Sequence, residues 1–306
     1  MIESQGQLER WLTITETNTL ELKNPDLRSD SCRLEFDVEN HEYHVHSDHY
    51  LFRIKASASQ IVKHFFPAPD FDKICRRMVG KPGFRKSSKY KNEFLPSILE
   101  AGLGRDMDDE ELVTYILDRW RTIGKLAAHK GTLLHKYAEL LCNGIVSPDF
   151  ERPPEYNYVN QYLETKSTQG WKPFRTEWRI FNLANKTMDA IAGTIDLVMY
   201  RDVSEHREYC IVDWKRCIKI ERKNMYSRAY GKSPCHRFPD CNYSHYSLQL
   251  LIYKYILKQS YRLEICGGMY LVIIHPNYNM FEEIEIEHQD ESIIESMLGQ
   301  MKADTS

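Results

Sequence analysis

The 306-residue chain contains no apolar run approaching the ~20 residues that span a bilayer, and its polar start, MIESQGQLER, carries no signal-peptide core. An intracellular protein with no membrane partner is therefore expected. CxxC spacing is absent, and the eight cysteines (32, 75, 142, 210, 217, 235, 241 and 266) are scattered. Several fall within apolar runs, where a thiol behaves as a small hydrophobe, so reduced thiols are expected and no iron–sulfur cluster. Cys235 and Cys241, close to His236 and His245, lack the usual spacing of a zinc site. The chain also lacks internal repeats, low-complexity segments, a clear domain linker and a phosphate-cradling GxxxxGK[ST] loop.

What is present is a chain long enough to bury a substantial core, with 42% hydrophobic and 28% charged residues, ordinary values for a globular protein. A net charge of -3 does not mark a nucleic-acid binder, but the charge is uneven. Residues 76 to 91 hold Arg76, Arg77, Lys81, Arg85, Lys86, Lys89 and Lys91 with no acid. Residues 214 to 237 hold Lys215, Arg216, Lys219, Arg222, Lys223, Arg228, Lys232 and Arg237 against Glu221 alone. Such runs are often solvated faces. The second is interleaved with Tyr226, Tyr230, Phe238, Tyr243 and Tyr246, and rings among cations suit a nucleic-acid groove.

That basic run leaves the most informative stretch, Gly193 to Arg216, where two β-branched runs, 193–200 and 209–214, flank a polar connection of about seven residues. Asp196 and Asp213 are equidistant from the Ser204–Glu205 step, so a hairpin sets them opposite each other, close enough to share a cation. Alternation puts Lys215 on the face of Asp213 and sends Trp214 away from it. A surface ion-pair cluster is the bland account of Asp-x-Lys taken alone.

Elsewhere, LEFDVEN and HEYHVHSDHYLFRIKA read as strands, making residues 1–55 a small strand-rich region of unassigned role. Its His41, His44, His46 and His49, with Glu42 and Asp48, fit either a polar strand edge or a metal site. Ser57-Ala-Ser-Gln60 has the capping-box pattern before IVKHFF, and Pro67 and Pro69 close that helix. Acids at 106–111 begin a helix with a stripe of Leu112, Tyr115, Ile116, Leu117 and Trp120. A second helix, His129 to Gly144, sets His135 and Glu139 on one face, either as a core histidine bonded to a glutamate or as part of a site. FRTEWRIFNL makes a strand with Glu177, SLQLLIYKYILKQSY a helix with Gln249 and Tyr253 one turn apart, and GMYLVIIHP a further strand before a last helix near 291–301.

In order, the chain carries Gly131-Thr-x-x-His135-x-x-x-Glu139, Glu177, Gly193-Thr-Ile-Asp196, Asp213-Trp-Lys215 and Gln249-x-x-x-Tyr253. This series resembles the RecB-like branch of the PD-(D/E)XK nuclease superfamily and is similar to such nucleases of large DNA viruses. The resemblance covers about residues 56–300, within an expected nuclease domain of residues 56–306 with a helical N-terminal part, and implies an α/β, restriction-endonuclease-like core, a central mixed sheet flanked by helices. It implies a Mg²⁺- or Mn²⁺-dependent hydrolysis of DNA phosphodiesters at ends or in single strands, as in DNA repair and recombination. By the same resemblance His135, Asp196, Asp213 and the Trp214 carbonyl ligate the metal, Lys215 activates the attacking water, and Glu177 and Glu139 support them. Gln249 and Tyr253 line the site, against nucleic acid, or hold the strand, and Arg216, Lys219, Arg222 and Lys223 meet the nucleic acid. Hard oxygens suit Mg²⁺ or Mn²⁺, and an imidazole beside them tilts the choice towards Mn²⁺. An RNase with the same metal site, and a catalytically inactive nucleic-acid-binding module, are the alternatives. Any helicase or other replication or repair partner would be a separate chain.

Overall fold

In the computed structural model the described residues are 9, 11–14, 18–26, 28, 32–37, 40, 42–47, 51–54, 56–104, 107–146, 152–183, 190–224, 229–287 and 289–305. His41, Asp48, His49, Asp106, Tyr226 and Arg228 lie outside them. Packing divides the chain into two compact units, Met1–Phe66 with Gly131–Ser306, and Pro67–Lys130.

The larger unit is an α/β fold on two sheets. Strands β1 (Arg33–Asp37), β2 (Glu42–His46) and β3 (Leu51–Ile54) form a small antiparallel sheet. On β2, His46 lies 2.8 Å from Glu35 and His44 3.6 Å from Glu42. The inner face of this sheet, Tyr43, Val45 and Ile54, is buried with Phe181 and Ala192 of the main sheet and Ala190 just before it.

The main sheet is mixed: β4 (Ala56–Ser57), β5 (Lys172–Asn182), β6 (Ile191–Val203), β7 (His206–Lys215), β8 (Met269–Ile273) and β9 (Glu282–Glu285). β5 and β7 pair antiparallel with β6, β4 runs parallel to β6, and β8 parallel to β7. One face packs on the helices that follow: Ala58, Ile61 and Phe65 of α2 (Ala58–Phe65), Leu248, Leu251 and Ile256 from Asn242–Tyr261, and Ile294 and Met297 from Ser292–Thr305. The other takes Leu133, Leu134, Tyr137 and Leu140 from a long helix and Val159 and Tyr162 from Asn157–Thr168. α2 starts at the expected box, in which the Ser57 hydroxyl accepts the Gln60 N–H and the Gln60 side chain accepts the Ser57 N–H.

Two local expectations need correction. The hairpin connection is Ser204-Glu205 alone, because the polar residues beside it form cross-strand ion pairs, Arg201 with Glu208 at 2.7 Å and Arg207 with Asp202 at 3.0 Å. Ser204 takes the left-handed conformation, φ +52°, that closes so tight a turn. The two helices read at 106–120 and 129–144 are one, Asp109–Cys142. Its apolar stripe lapses between them, where residues 121–128 are exposed, but nothing in the sequence breaks the backbone hydrogen bonding. The Asp108 and Glu111 side chains cap its start reciprocally, and Gly144, φ +72°, ends it in the left-handed conformation.

The smaller unit holds Phe71–Val79, Leu95–Glu100 and the first part of the long helix around Cys75, Phe94, Ile98, Leu112 and Ile116. Its basic residues are partly spent internally: Arg76 pairs with Asp72 and Glu110, and Arg85 with Asp109. Among the described residues the α-helices include, in chain order, α1 (Thr19–Lys23), α2, α3 (Phe71–Val79), α4 (Leu95–Glu100), α5 (Asp109–Cys142), α6 (Asn157–Thr168), α7 (Asn242–Tyr261) and α8 (Ser292–Thr305).

Candidate metal centre

The site forms where the main sheet forks. β6 and β7 pair from Val203↔His206 to Leu197↔Val212, the register expected from the sequence, and the ladder ends there, one step short of Asp196 and Asp213. From that point β7 stays with β8, Asp213 opposite Leu271 and Lys215 opposite Ile273. β6 passes on to β4, which pairs with Ile191 and Ala192. Asp196 bridges the fork itself, its Oδ2 accepting the Trp214 N–H at 2.8 Å. On the opposite edge of β6 the ladder to β5 has the same gap: Thr176 pairs with Leu197 and Trp178 with Ile195, while Glu177 between them has φ +44°. Three acids on three adjacent strands thus share one level of the sheet.

α5 brings His135 over them. Its Nδ1 is 3.5 Å from Asp196 and 3.9 Å from Glu177, and its Nε2 is 3.0 Å from the Trp214 carbonyl. One donor atom from each of His135, Glu177 and Asp196 lies within 4.8 Å of the others, a group able to hold a metal ion. An imidazole nitrogen and two carboxylates suit a divalent cation. The electrostatics point the same way: burial pushes the Glu177 carboxyl well above its ordinary range, and Asp196 and Glu139 push it further, against Lys136 and Arg179. A cation would relieve that repulsion.

Asp213 is more enclosed, at 3% exposure, and is paired with Lys215, two residues along the same face. Burial pushes its carboxyl up to about 6 despite Lys215, with Asp196 adding to the rise. The Lys215 ammonium lies 4.4 Å from the Tyr246 ring. Burial alone would lower its pKa, but Asp213 and Asp196 outweigh that and raise it, so it stays charged. Trp214 points to the other side, its ring edge-on to Tyr162 at 5.2 Å.

α7 closes the rear. The Tyr253 ring lies against Gly193, where a Cβ would stand 2.3 Å from its Cε1, and Gln249 donates to the Tyr253 hydroxyl at 2.7 Å. Glu139, one turn beyond His135, pairs with Lys136 at 2.9 Å. Of the cations after Lys215, Arg216 is held by Glu155 at 2.9 Å with both side chains largely buried. Lys219 and Arg222 make exposed pairs with Glu221 and Glu287, and Lys223 is exposed. Cys235 is buried, Cys241 lies beside Ser244, and His245 pairs with Asp240.

The family resemblance counts Glu177 among the catalytic groups, in a supporting role. The signal that promotes it is its position: it lies on β5 at the level of Asp196, in a backbone conformation that turns the strand there.

The fold and this cluster define an α/β protein with the donor set of a metal-using enzyme. No family model and no curated protein matches the chain. A solved structure described as the crystal structure of SSO0001 is similar over 82% of this chain and 75% of that chain, at 14% identity and a TM-score of 0.29, a value too low to carry an argument.

Proposed function

We propose that the chain is a metal-dependent nuclease of the PD-(D/E)XK type, RecB-like, that hydrolyses DNA phosphodiesters at ends or in single strands. The observation that carries this reading is the fork: His135, Glu177 and Asp196 gather there beside a charged lysine held by Asp213. His135, Glu177 and Asp196 would hold a Mg²⁺ or Mn²⁺ ion, with the Trp214 carbonyl and Asp213 adjacent. A bound divalent ion supplies Lewis-acid polarisation and a water of lowered pKa.

The chain's own groups do the remainder. Lys215 sets a positive charge against the charge that develops on a phosphate, and Tyr246 and Asp213 fix its direction. Tyr253 and Gln249 hold β6 from behind. The Lys219–Glu221 and Arg222–Glu287 pairs are exposed and screened by solvent, so these cations can exchange a carboxylate for a backbone phosphate. Arg216, buried with Glu155, instead anchors the end of β7.

The test is digestion of end-labelled linear, single-stranded and closed circular DNA, and of matched RNA, with Mn²⁺ or Mg²⁺. Cleavage of linear or single-stranded DNA, lost by a factor of 100 or more in Asp196→Asn and Lys215→Ala, is expected. No cleavage of DNA or RNA with either metal refutes the reading. Cleavage of circles would replace end-dependence by internal cutting, and preferential cleavage of RNA would replace the substrate.

A further inference from the structure

We infer that Asn143 is a positioning residue for the metal-holding cluster, joining the N-terminal grip on the backbone around Glu177 to the helix that carries His135. The inference rests on the metal reading above and gives the N-terminal residues a role that the nuclease resemblance does not cover.

Glu177 has φ +44°, a conformation that residues with a side chain rarely adopt and that persists only where the surroundings impose it. Its neighbours are gripped from the N-terminal side. Asn18 donates to the Thr176 carbonyl at 3.1 Å and Asn24 to the Phe174 carbonyl at 2.9 Å. The buried Arg175 donates to the Asn24 carbonyl at 2.6 Å and pairs with Glu21 and Asp26, and the Trp178 indole N–H donates to Asp26 at 2.8 Å. The residues on either side of Glu177 are therefore fixed, while its own carboxylate turns to His135.

Asn143 joins this grip to the helix that carries His135. It is 8% exposed and its carboxamide is fully used. Nδ2 donates to the Glu139 carbonyl at 2.8 Å and to the Thr176 hydroxyl at 2.8 Å. Oδ1 accepts from the Leu20 N–H at 3.0 Å and the Thr19 hydroxyl at 3.2 Å. One side chain thus ties the last turns of α5, the start of α1 and the residue before Glu177, so the distance between imidazole and carboxylate depends on it. Partners bonded directly to metal ligands typically alter metal affinity 10–100-fold when removed, and Asn143 acts on the same distances from one residue further out, through the neighbour of Glu177 and the helical turn after His135.

The test is Mn²⁺ titration of the full chain followed by electron paramagnetic resonance, with a thermal melt of each apo protein. Asn143→Ala and Thr176→Val, the second a near-isosteric loss of the bonded hydroxyl, should weaken Mn²⁺ binding about 10–100-fold. Arg28→Ala, which removes an N-terminal bond to the Phe181 carbonyl beyond the site, should lower the melting temperature and leave the affinity unchanged. Should Asn143→Ala fail to fold, Thr176→Val carries the test. Affinity within twofold of wild type in the Asn143 and Thr176 variants overturns the inference, as does a loss of affinity in all three that merely follows their loss of stability. A wild-type chain that binds no Mn²⁺ overturns the metal reading itself and this role with it.

Discussion

Replacing Gly193 by alanine tests how closely the rear of the site is packed. The new Cβ would stand 2.3 Å from Tyr253 Cε1, 3.1 Å from Cδ1 and 3.2 Å from Cζ. Carbon atoms at rest are about 3.5–4.0 Å apart, so the ring must retreat by more than ~1 Å. It has little room, being 4% exposed within the larger core and bonded through its hydroxyl to Gln249. Overpacking of this kind costs about 1–3 kcal/mol, and in a domain of this size each kcal/mol lowers the melting temperature by about 2–4 °C. Gly193→Ala should therefore melt about 2–12 °C below wild type by calorimetry. Tyr253→Leu should cost about 2–4 kcal/mol through the cavity it leaves, and the double variant should cost at least about 1 kcal/mol less than the sum, because the new methyl fills part of that cavity. A Gly193→Ala protein with unchanged stability, or strictly additive costs, would refute the close approach.

Two further outcomes follow from charges. Glu155→Gln leaves the Arg216 guanidinium buried without its partner and should cost about 3–5 kcal/mol in urea denaturation, largely recovered when both residues are made apolar; a cost under about 1 kcal/mol would mean the pair is solvated. The Glu291 carboxyl is held below its ordinary range because Lys254 and Lys258, each 3.1 Å away, outweigh its burial. A carboxyl lowered in the folded state stabilises above its unfolded pKa of about 4.3, and that stabilisation is lost as the pH falls through the lower folded value. Wild type should exceed Glu291→Gln by about 0.5–1 kcal/mol at pH 7, and the two should converge at acid pH; a gap that widens on acidification would reverse the sign.

The hairpin was legible because a strand pair has simple geometry: two acids equidistant from a turn must face each other, and the register agrees up to the fork. The fork itself was not legible, since β6 and β7 part company to meet β4 and β8, partners distant in sequence. β9 escaped notice because Glu282–Glu285 is an exposed edge of mostly acidic residues with no apolar alternation. The junction within α5 was obscured because helix was judged from an apolar stripe, and the stripe reports what a helix packs against rather than where it runs. The grip of Asn18, Asn24 and Arg28 on β5 left no pattern at all, because it consists of side chains bonding to a distant backbone.

That grip also settles how the sheet ends. β5 pairs with β6 on one side, and on the other its carbonyls at Phe174, Thr176 and Phe181 are taken by Asn24, Asn18 and Arg28. An outermost strand left bare is a template for another chain, and charged or polar coverage is how proteins prevent such self-association. The N-terminal side chains thus occupy the outer edge of β5, while the acidic β9 forms the sheet's other edge; shortening the chain past Arg28 bares the β5 carbonyls, and a larger species by size-exclusion chromatography is the expected result.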